Sequence, residues 1–335
     1  MNAPPPRILG VVPRGSGAAV VHATLGRGIP GYLVQTYSPS WEFCPPMLRR
    51  YCDRSAAVVH APPDHSVFLC PRETPLVVTF HNFVLDRPIR AQSTLIQRIH
   101  YATDLRFFTR LALRRATVVT AVSTSTADLI RRHMNYTRPI VVVPNGVDSF
   151  RFRPSESFLT QGPLRVLFSG NLSRRKGAHL LPQIARLAGP DIEIYYTAGA
   201  RAGISDPGWT DLTPVGRVPY ADMPALYHRF HALLLPSIRE GLSLSLLEAM
   251  ASGLAIVASD IPSNAEPVVN GVGGLLCPAD DPKAYAAALR TLARDRDRAR
   301  AMGLHNRMVV EQRYTQSRML DGYREVFRRI LERSE

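Results

Sequence analysis

Short apolar runs alternate with stretches of helical periodicity along most of the chain. Within the runs, apolar residues rich in valine and isoleucine follow one another directly, which is typical of strands buried on both faces of a sheet. In the first half, strands are predicted at residues 7–13, 32–37, 57–60, 76–80, 117–122 and 140–143. Apolar residues at helical spacing predict helices between them, at 18–26, 92–114 and 126–134. This order favours an α/β fold with a doubly wound parallel sheet.

The alternation stops at residues 144–163 and then resumes. That segment, PNGVDSFRFRPSESFLTQGP, predicts a turn followed by a linker. Beyond it, strands are predicted at 165–169, 191–197, 232–236 and 254–258, and helices at 177–188, 221–230, 243–251 and from 281 onward. We therefore expect two facing Rossmann-like domains, 1–158 and 159–315, with ligands bound in an interdomain cleft. A C-terminal helix, 316–335, is expected to pack back on the first domain.

Composition indicates a soluble folded protein. The 335 residues are 45% hydrophobic and 20% charged, and no apolar run approaches the roughly 18 residues that span a bilayer. The N-terminal residues resemble no secretory signal, so a cytoplasmic protein is expected. No C-x-x-C pair occurs, which predicts free thiols and no metal site at the four cysteines, Cys44, Cys52, Cys70 and Cys277.

The formal net charge of +14 comes almost entirely from arginine, since Lys176 and Lys283 are the only lysines. Such a balance favours an anionic partner: nucleic acid, a phosphorylated substrate or an anionic membrane surface. The base composition of the source genome explains an arginine bias equally well. Charge alone therefore leaves both interpretations open.

A glycine-containing turn, RGSGAAV, follows the first predicted strand at residues 14–20. Gly15 and Gly17 allow the backbone to approach a phosphate at a helix N-terminus. The pattern is incomplete for a dinucleotide, because Val20 stands where a third glycine belongs and no acid lies near Gln35. NAD is therefore not expected, and the turn either lines a ligand site or simply joins strand to helix.

Three basic residues, Arg174, Arg175 and Lys176, lie between a predicted strand end and a predicted helix start. A helix N-terminus already favours anions, so this loop, within FSGNLSRRKGAHLL, is expected to bind phosphate. A solvated loop is the alternative.

Two carboxylates stand eight residues apart in REGLSLSLLEAMASG. Glu240 precedes a helix start at the mouth of the expected cleft, where it would also suit a helix dipole. Glu248 lies within a helix whose faces are nearly all apolar, and a buried carboxylate needs hydrogen-bond donors. A vicinal diol supplies two donors to one carboxylate. A ligand that carries such a diol would therefore meet the needs of Glu248.

Three further positions have weaker signals. His81 follows a predicted strand in VVTFHNF and either reaches the cleft or is structural. Glu266 follows another strand and is either a cleft residue or an N-cap or first-turn carboxylate. The D-x-D of Asp295 and Asp297 lies in a charged helical run, so a solvated helix face is expected there rather than a metal site.

The chain resembles glycosyltransferase family 4 over roughly residues 76–285. The matching segments are TFHNF, TAVSTSTADLI, VPNGVD, SGNLSRRKG, VGRVPYADMPALY and PSIREGLSLSLLEAMASGLAIVASDIPSNAEPVVNGVGGLLCPADDP. The resemblance implies a retaining, metal-independent enzyme with two facing Rossmann-like domains of the GT-B type. The first domain would bind the acceptor, and the second would bind a nucleotide-diphosphate sugar as substrate, with no cofactor.

The resemblance also implies residue roles on the sugar side. Glu240 would contact the donor sugar hydroxyls, and Glu248 would hold the ribose diol of the nucleotide. His81 would lie over the sugar near the reacting carbon. With Lys176, Glu240 and His81 form the implied catalytic set.

The remaining implied roles concern the phosphates and the base. Lys176 would bind the diphosphate with the backbone N–H groups of Gly241, Leu242 and Ser243. Gly15 and Gly17 would approach the phosphate and the acceptor. Gly216 and Val218, within residues 216–219, would lie against the base.

Asn171 is a departure from the family pattern. The family usually reads G-R-L there, and the arginine helps to neutralise the diphosphate. We expect Arg174 or Arg175 to replace it. The resemblance is also weak between residues 29 and 75, where acceptor contacts would be expected.

Other functions remain open at this stage. No side chain is placed as a covalent nucleophile, so front-face transfer to an acceptor hydroxyl is the expected mechanism, with polysaccharide, lipopolysaccharide or glycolipid assembly as its context. A sugar-nucleotide epimerase or hydrolase is the alternative enzyme. A nucleic-acid-binding protein is not expected, because no known binding motif is present.

The arginine- and aromatic-rich segment 95–116 either docks on an anionic membrane near a lipid-linked acceptor or packs on the sheet.

Overall fold

The computed structural model of the chain describes residues 5–86, 104–155, 161–198 and 209–333. They form two compact units, the first made of Met1–Asn145 and Ser317–Glu335, the second of Gly146–Gln316. Each unit has its own six-stranded sheet with parallel pairing throughout. The α/β fold with two Rossmann-like domains is confirmed.

The first sheet has the strand order β2-β1-β3-β4-β5-β6. Its strands are β1 Ile8–Pro13, β2 Tyr32–Tyr37, β3 Val58–Ala61, β4 Leu76–Phe80, β5 Val118–Ala121 and β6 Ile140–Val142. The described helices of this part are α1 Gly17–Gly28, α2 Ser66–Leu69, α3 Asp104–Arg115 and α4 Thr124–Met134, with 3-10 turns at Pro39–Phe43 and Pro45–Tyr51. β3 and β4 are fully buried, which explains their unbroken apolar runs.

Local side chains explain where two of these helices begin and end. The Ser16 Oγ accepts a hydrogen bond from the Ala19 amide at the start of α1, and the Ser123 Oγ accepts one from Thr126 at the start of α4. Asn135 ends α4 in the left-handed region at φ 52°. These caps satisfy backbone groups that the helix itself leaves without partners.

The second sheet has the order β12-β11-β10-β7-β8-β9. Its strands are β7 Leu164–Phe168, β8 Ile192–Thr197, β9 Thr213–Gly216, β10 Ala232–Leu235, β11 Ala255–Ser259 and β12 Gly274–Cys277. The helices that follow are α5 Leu181–Ala188, α6 Met223–Tyr227, α7 Leu244–Ala251, α8 Pro262–Ala265, α9 Pro282–Arg294, α10 Arg296–Arg313 and α11 Gln316–Leu331. Asp295 caps α10 by accepting from the Arg298 amide, so this aspartate has a structural role.

The predicted strands are all present, and none of their ends is shifted by more than one residue. Strands β9 and β12 were missed, because both are short strands at sheet edges and β9 contains a proline. The helix predicted at 177–188 is instead a 3-10 turn, Ala178–Leu180, followed by α5. Of the helix predicted at 92–114, residues 92–103 lie outside the described ranges.

The two unit boundaries follow from packing near the linker and the C-terminus. The first boundary comes at Asn145, before the predicted 158, because Val147 bridges to Thr315 of the second unit. Helix α11 contributes to the first unit from Ser317 onward, where Leu320 lies against Gly28. Among the described helices, none combines the length and hydropathy needed to cross a bilayer. The four cysteines carry free thiols.

Candidate functional site

Two loops meet at the carboxyl edge of the second sheet, because β7 and β10 are neighbouring strands. The loop after β7 carries a 3-10 turn, Arg174–Lys176, and the loop after β10 leads into α7. The Ile238 amide donates to the Arg175 carbonyl over 2.9 Å and joins the two loops. The basic triplet is thereby held against the segment that carries Glu240.

Gly177 makes this close approach of the loops feasible. It has φ 74° in the left-handed region, and a Cβ at this position would collide with the Pro236 carbonyl. Only glycine satisfies both conditions without strain. The preceding turn begins at Ser173, whose Oγ accepts from the Lys176 amide over 3.4 Å. The turn that carries Lys176 is therefore held by the Ser173 hydrogen bond at its start and by Gly177 at its end.

Glu240 and Lys176 form a nearly buried ion pair. The Lys176 Nζ lies 2.8 Å from the Glu240 Oε1, and the two side chains are only 12% and 8% exposed. An Arg175 guanidinium nitrogen lies 3.4 Å from the other carboxylate oxygen and donates to the Arg239 carbonyl over 3.0 Å. One carboxylate thus faces two cations, so the cluster has a net positive charge.

The charges of this cluster oppose the effect of burial on Glu240. Burial raises the pKa of the Glu240 carboxyl, but Lys176 and Arg175 together outweigh it and hold the pKa below its usual value. Glu240 is therefore ionised at neutral pH. Removing one partner of a buried pair leaves an uncompensated charge, so a substitution at Lys176 or Glu240 should lower the stability of the folded state.

Glu248 lies on α7, where its neighbours on the helix are almost all buried. Its Oε2 accepts a hydrogen bond from the Tyr227 hydroxyl over 3.0 Å, and Tyr227 is itself fully buried. Burial raises the pKa of Glu248 to about 7, against the Tyr227 hydrogen bond and the charges of Arg151 and Lys176, which lower it. Glu248 is therefore poised between its two protonation states near neutral pH.

The segment of Gly241, Leu242 and Ser243 leads into the eight-residue helix α7. Ser243 is the N-cap in an extended conformation, and its carbonyl accepts from the Leu247 amide over 3.1 Å. The first-turn N–H groups of a helix attract anions. This helix start lies in sequence between Glu240 and Glu248.

Asn171 and the arginines beside it occupy the loop after β7. The Asn171 carbonyl accepts from the Ser173 amide over 2.8 Å, which tightens the loop. Arg175 is half-buried and engaged with Glu240, whereas Arg174 is exposed. The positive charge near Asn171 is thus distributed over two side chains with different surroundings.

The other predicted residues of this unit lie on separate segments. Gly216 ends β9 at φ 81°, two strands away from β7, and Val218 is half-buried just beyond it. Glu266 is half-buried at the C-terminal end of α8, where its amide donates to the Pro262 carbonyl. An N-cap or first-turn role for Glu266 is therefore wrong, because its helix ends there rather than begins.

The first unit carries Gly15, Gly17 and His81 at the carboxyl edge of its own sheet. Gly15 has φ 67°, and a Cβ at either glycine would meet no atom within 4 Å, so this loop is open. His81 directly follows β4, and its ring lies 5.6 Å from that of His22 between centroids. Burial lowers the pKa of His81 to about 4, so its imidazole is neutral at pH 7.

Comparison with protein families finds two consecutive matching regions, one largely in each structural unit. The family model described as Glycosyltransferase Family 4 matches residues 8–151, and the one described as Glycosyl transferases group 1 matches residues 163–295. Together they account for most of the chain. It belongs to glycosyltransferase family 4. The resemblance proposed from the sequence motifs is thereby confirmed.

Relatives of this family 4 protein include enzymes with different named substrates. A glycogen synthase of Mycobacterium tuberculosis is 32% identical over 166 residues, 47% of this chain and 40% of the relative. A D-rhamnosyltransferase of Pseudomonas aeruginosa, WbpZ, is 27% identical over 270 residues, 74% of this chain and 65% of the relative. The chain thus spans less than two thirds of the length of these relatives.

Solved structures show the same fold at low sequence identity. Sucrose-phosphate synthase from Thermosynechococcus elongatus has a TM-score of 0.79 at 16% identity, covering 97% of this chain and 99% of that one. HepE from Anabaena, solved in complex with UDP and glucose, has a TM-score of 0.76 at 16% identity, covering 96% and 99%. These similarities support the fold of this family 4 protein. They do not identify its substrates, which must be inferred from its own residues.

Sequence reasoning missed two parts of the candidate site. Tyr227, the donor to Glu248, is a lone tyrosine in a helical segment, and only the packing of α6 against α7 reveals its partner. The pairing of Lys176 with Glu240 was also missed, since each was assigned to a separate ligand group. The low exposure of both side chains in the structure indicates that they must pair, whereas their spacing in the sequence does not.

Proposed function

We propose that this chain is a retaining glycosyltransferase that moves a sugar from a nucleotide-diphosphate sugar to an acceptor hydroxyl. The observation that carries the proposal is the Lys176–Glu240 ion pair, 2.8 Å long, beside the start of α7. On the same helix, Glu248 is held by Tyr227. In chain order, the cation Lys176, the Glu240 carboxylate, the N–H groups at the helix start and the Glu248 carboxylate thus offer one group for each part of a nucleotide-sugar.

Each group of the donor has a chemical counterpart in this arrangement. The diphosphate meets Lys176 and the amides of Gly241, Leu242 and Ser243. The ribose diol donates two hydrogen bonds to ionised Glu248, and sugar hydroxyls donate to Glu240. The positive charge that Arg175 adds to the pair offsets the charge that Glu240 removes.

The transfer itself needs stabilisation of a departing diphosphate. Lys176, with Arg174 or Arg175 in place of an arginine at Asn171, supplies charge where the leaving group develops it. The acceptor hydroxyl attacks the anomeric carbon from the side of the leaving group, and a departing phosphate oxygen takes its proton. The new bond then has the same anomeric configuration as the donor, and no metal ion or cofactor enters the proposal. The family resemblance also supports a role for His81 in this step.

The acceptor is proposed to be a saccharide or a lipid-linked saccharide in the assembly of a polysaccharide, lipopolysaccharide or glycolipid. A relative named for glycogen synthesis supports a growing glycan as acceptor. The complex of HepE with UDP and glucose supports a nucleotide-sugar donor. The base and sugar are left for experiment.

A thermal-shift screen of UDP-, GDP- and ADP-sugars identifies the donor. We expect one base to raise the melting temperature, and we expect E248Q to abolish this rise. Product analysis with saccharide acceptors then measures transfer and the anomeric configuration. Donor turnover without any acceptor dependence would instead indicate the alternative enzyme, an epimerase or hydrolase.

We also propose that the enzyme works in the cytoplasm at the inner face of a membrane. Four free thiols support a reducing compartment. On α3, Phe107 and Leu111 are 61% and 40% exposed, one turn apart, and Arg110 and Arg114 are exposed beside them. Apolar residues next to arginines suit an anionic lipid surface. Residues 95–103 of the segment predicted to dock lie outside the described ranges.

Vesicle co-sedimentation tests this membrane proposal. We expect binding to vesicles with anionic phospholipid at low salt, weaker binding at high salt, and loss of binding in F107S/L111S. Neutral vesicles are the control. No sedimentation with anionic vesicles at low salt would refute the proposal and leave the transferase function untouched.

A further inference from the structure

A chain of buried polar side chains crosses the first unit behind His81. The Tyr32 hydroxyl lies 2.9 Å from the His22 Nδ1 and 2.7 Å from the His60 Nδ1. The His60 Nε2 in turn lies 2.6 Å from the Thr79 Oγ1. All four residues are buried, and they come from helix α1 and strands β2, β3 and β4. The chain is therefore one connected hydrogen-bond network.

The number of protons in this network couples the two histidines. The Tyr32 hydroxyl has a single hydrogen, so it donates to one Nδ1 and accepts from the other. Burial lowers the pKa of both His22 and His60 well below the usual value, so each ring is neutral and carries one N–H. The tautomer of His22 is thus set by that of His60. Two arrangements satisfy these bonds, and in each of them the tautomer of His22 decides whether its Nε2 carries the proton.

The end of the network faces His81. The His22 Nε2 is buried and has no hydrogen-bond partner among the described residues, and the same is true of both His81 ring nitrogens. The His22 ring stacks on His60 at 4.4 Å and lies 5.6 Å from the His81 ring between centroids. The two rings whose nitrogens lack partners among the described residues are thus neighbours.

A purely structural role explains this arrangement poorly. Burying a nitrogen without a hydrogen-bond partner destabilises the folded state, and an apolar side chain would fill the same space without that cost. Tyr323 and Phe327 of α11 close the cluster with ring contacts to His60 at 5.2 and 5.7 Å. The surroundings are thus aromatic, and these rings supply no hydrogen-bond partner for the His22 Nε2.

We propose that His22 is a positioning residue for His81: its Nε2 pairs with a His81 nitrogen and fixes the ring orientation and tautomer that His81 uses in transfer. The inference deepens the proposed function, since it rests on His81 contributing to the transfer step. His22 itself touches no substrate. It acts only through His81, with Tyr32 setting which form it presents.

Two substitutions at His22 separate its two nitrogens. In H22N the amide replaces the Nδ1 and retains the bond to Tyr32, but nothing reaches His81. In H22Q the amide replaces the Nε2 and still reaches His81. We expect H22N to lower kcat about 10- to 100-fold with the donor KM within twofold, and H22Q to recover a large part of kcat. Equal losses in both variants would overturn the proposal.

A double-mutant cycle distinguishes this inference from the proposed function. H81A is expected to lose activity, and H22N is expected to cost nothing further in the H81A background. An equal loss from H22N with and without His81 refutes the positioning role while leaving the proposed function intact. Unchanged kcat in H81A instead refutes the role of His81 in the proposed function.

Nitrogen NMR of the ligand-free full chain with labelled histidine gives a readout that does not depend on activity. We expect one His81 tautomer in the wild type and H22Q, and a mixture in H22N. Identical His81 signals in the wild type and H22N would overturn the positioning role even if the kinetics had agreed. Melting temperatures confirm that each variant is folded.

Discussion

The buried carboxyl of Glu248 should make the stability of the second unit depend on pH. Its folded pKa is about 7 against an ordinary value of 4.5, and burial is the main cause. Between these two values the folded chain holds a proton that the unfolded chain has already released. Stability from this group is therefore fully present below 4.5 and is lost as pH rises through about 7.

The size of the effect follows from the two pKa values. A change of one in pKa is worth about 1.4 kcal/mol, so the difference between 4.5 and about 7 corresponds to about 3 kcal/mol at pH 8. E248Q cannot ionise, and its amide oxygen still accepts from the Tyr227 hydroxyl. We expect E248Q to be about 3 kcal/mol more stable than the wild type at pH 8 and nearly unchanged at pH 4.5.

Urea unfolding followed by Trp209 fluorescence measures this difference. The chain has two tryptophans, and a W41F background leaves Trp209, which packs on Tyr196 in the second unit, as the sole reporter. As a control, E311Q removes an exposed carboxylate and should change the unfolding free energy by less than about 1 kcal/mol at either pH. An E248Q effect of the same size at pH 4.5 and pH 8 would show that the reasoning is wrong.

Three further predictions concern the same unit. E240Q should cut turnover about 100-fold while nucleotide binding, measured by calorimetry, survives, because Lys176 and the N–H groups at the start of α7 remain in place; near wild-type turnover would contradict this role. Y227F removes the hydroxyl that donates a hydrogen bond to Glu248, so it should weaken binding of the nucleotide-sugar about tenfold at pH 7.5. An unchanged dissociation constant for the nucleotide-sugar would contradict this prediction. G177A should lower the melting temperature by several degrees more than G162A, since both glycines have positive φ but only Gly177 faces a carbonyl.

The fold was largely predictable because its signals are local. The strands buried on both faces are short, continuous apolar runs, and a parallel sheet places their carboxyl ends at one edge. Glu240, Glu248 and Lys176 were found because each stands just after such a strand or within the apolar helix that follows. The edge strands β9 and β12 were missed because they are short and only half-buried, so they lack an unbroken apolar run.

Pairings between distant side chains were not predictable in the same way. Tyr227 and Glu248 are 21 residues apart, and Lys176 and Glu240 are 64 residues apart on different strands' loops. The chain of His22, Tyr32 and His60 also joins three separate elements. The spacing of residues along the sequence does not indicate which of these side chains will be in contact.

The sequence by itself determined the alternating α/β architecture, the positions of the strand ends and the presence of carboxylates and cations there. These follow from apolar periodicity and from the cost of burying charge, which act within a few neighbouring residues. Only the tertiary structure decided that Lys176 pairs with Glu240, that Glu248 titrates near neutrality and that His22 faces His81. Charge state and hydrogen bonding depend on burial and on partners from other elements, and these exist only after the sheets and helices have packed.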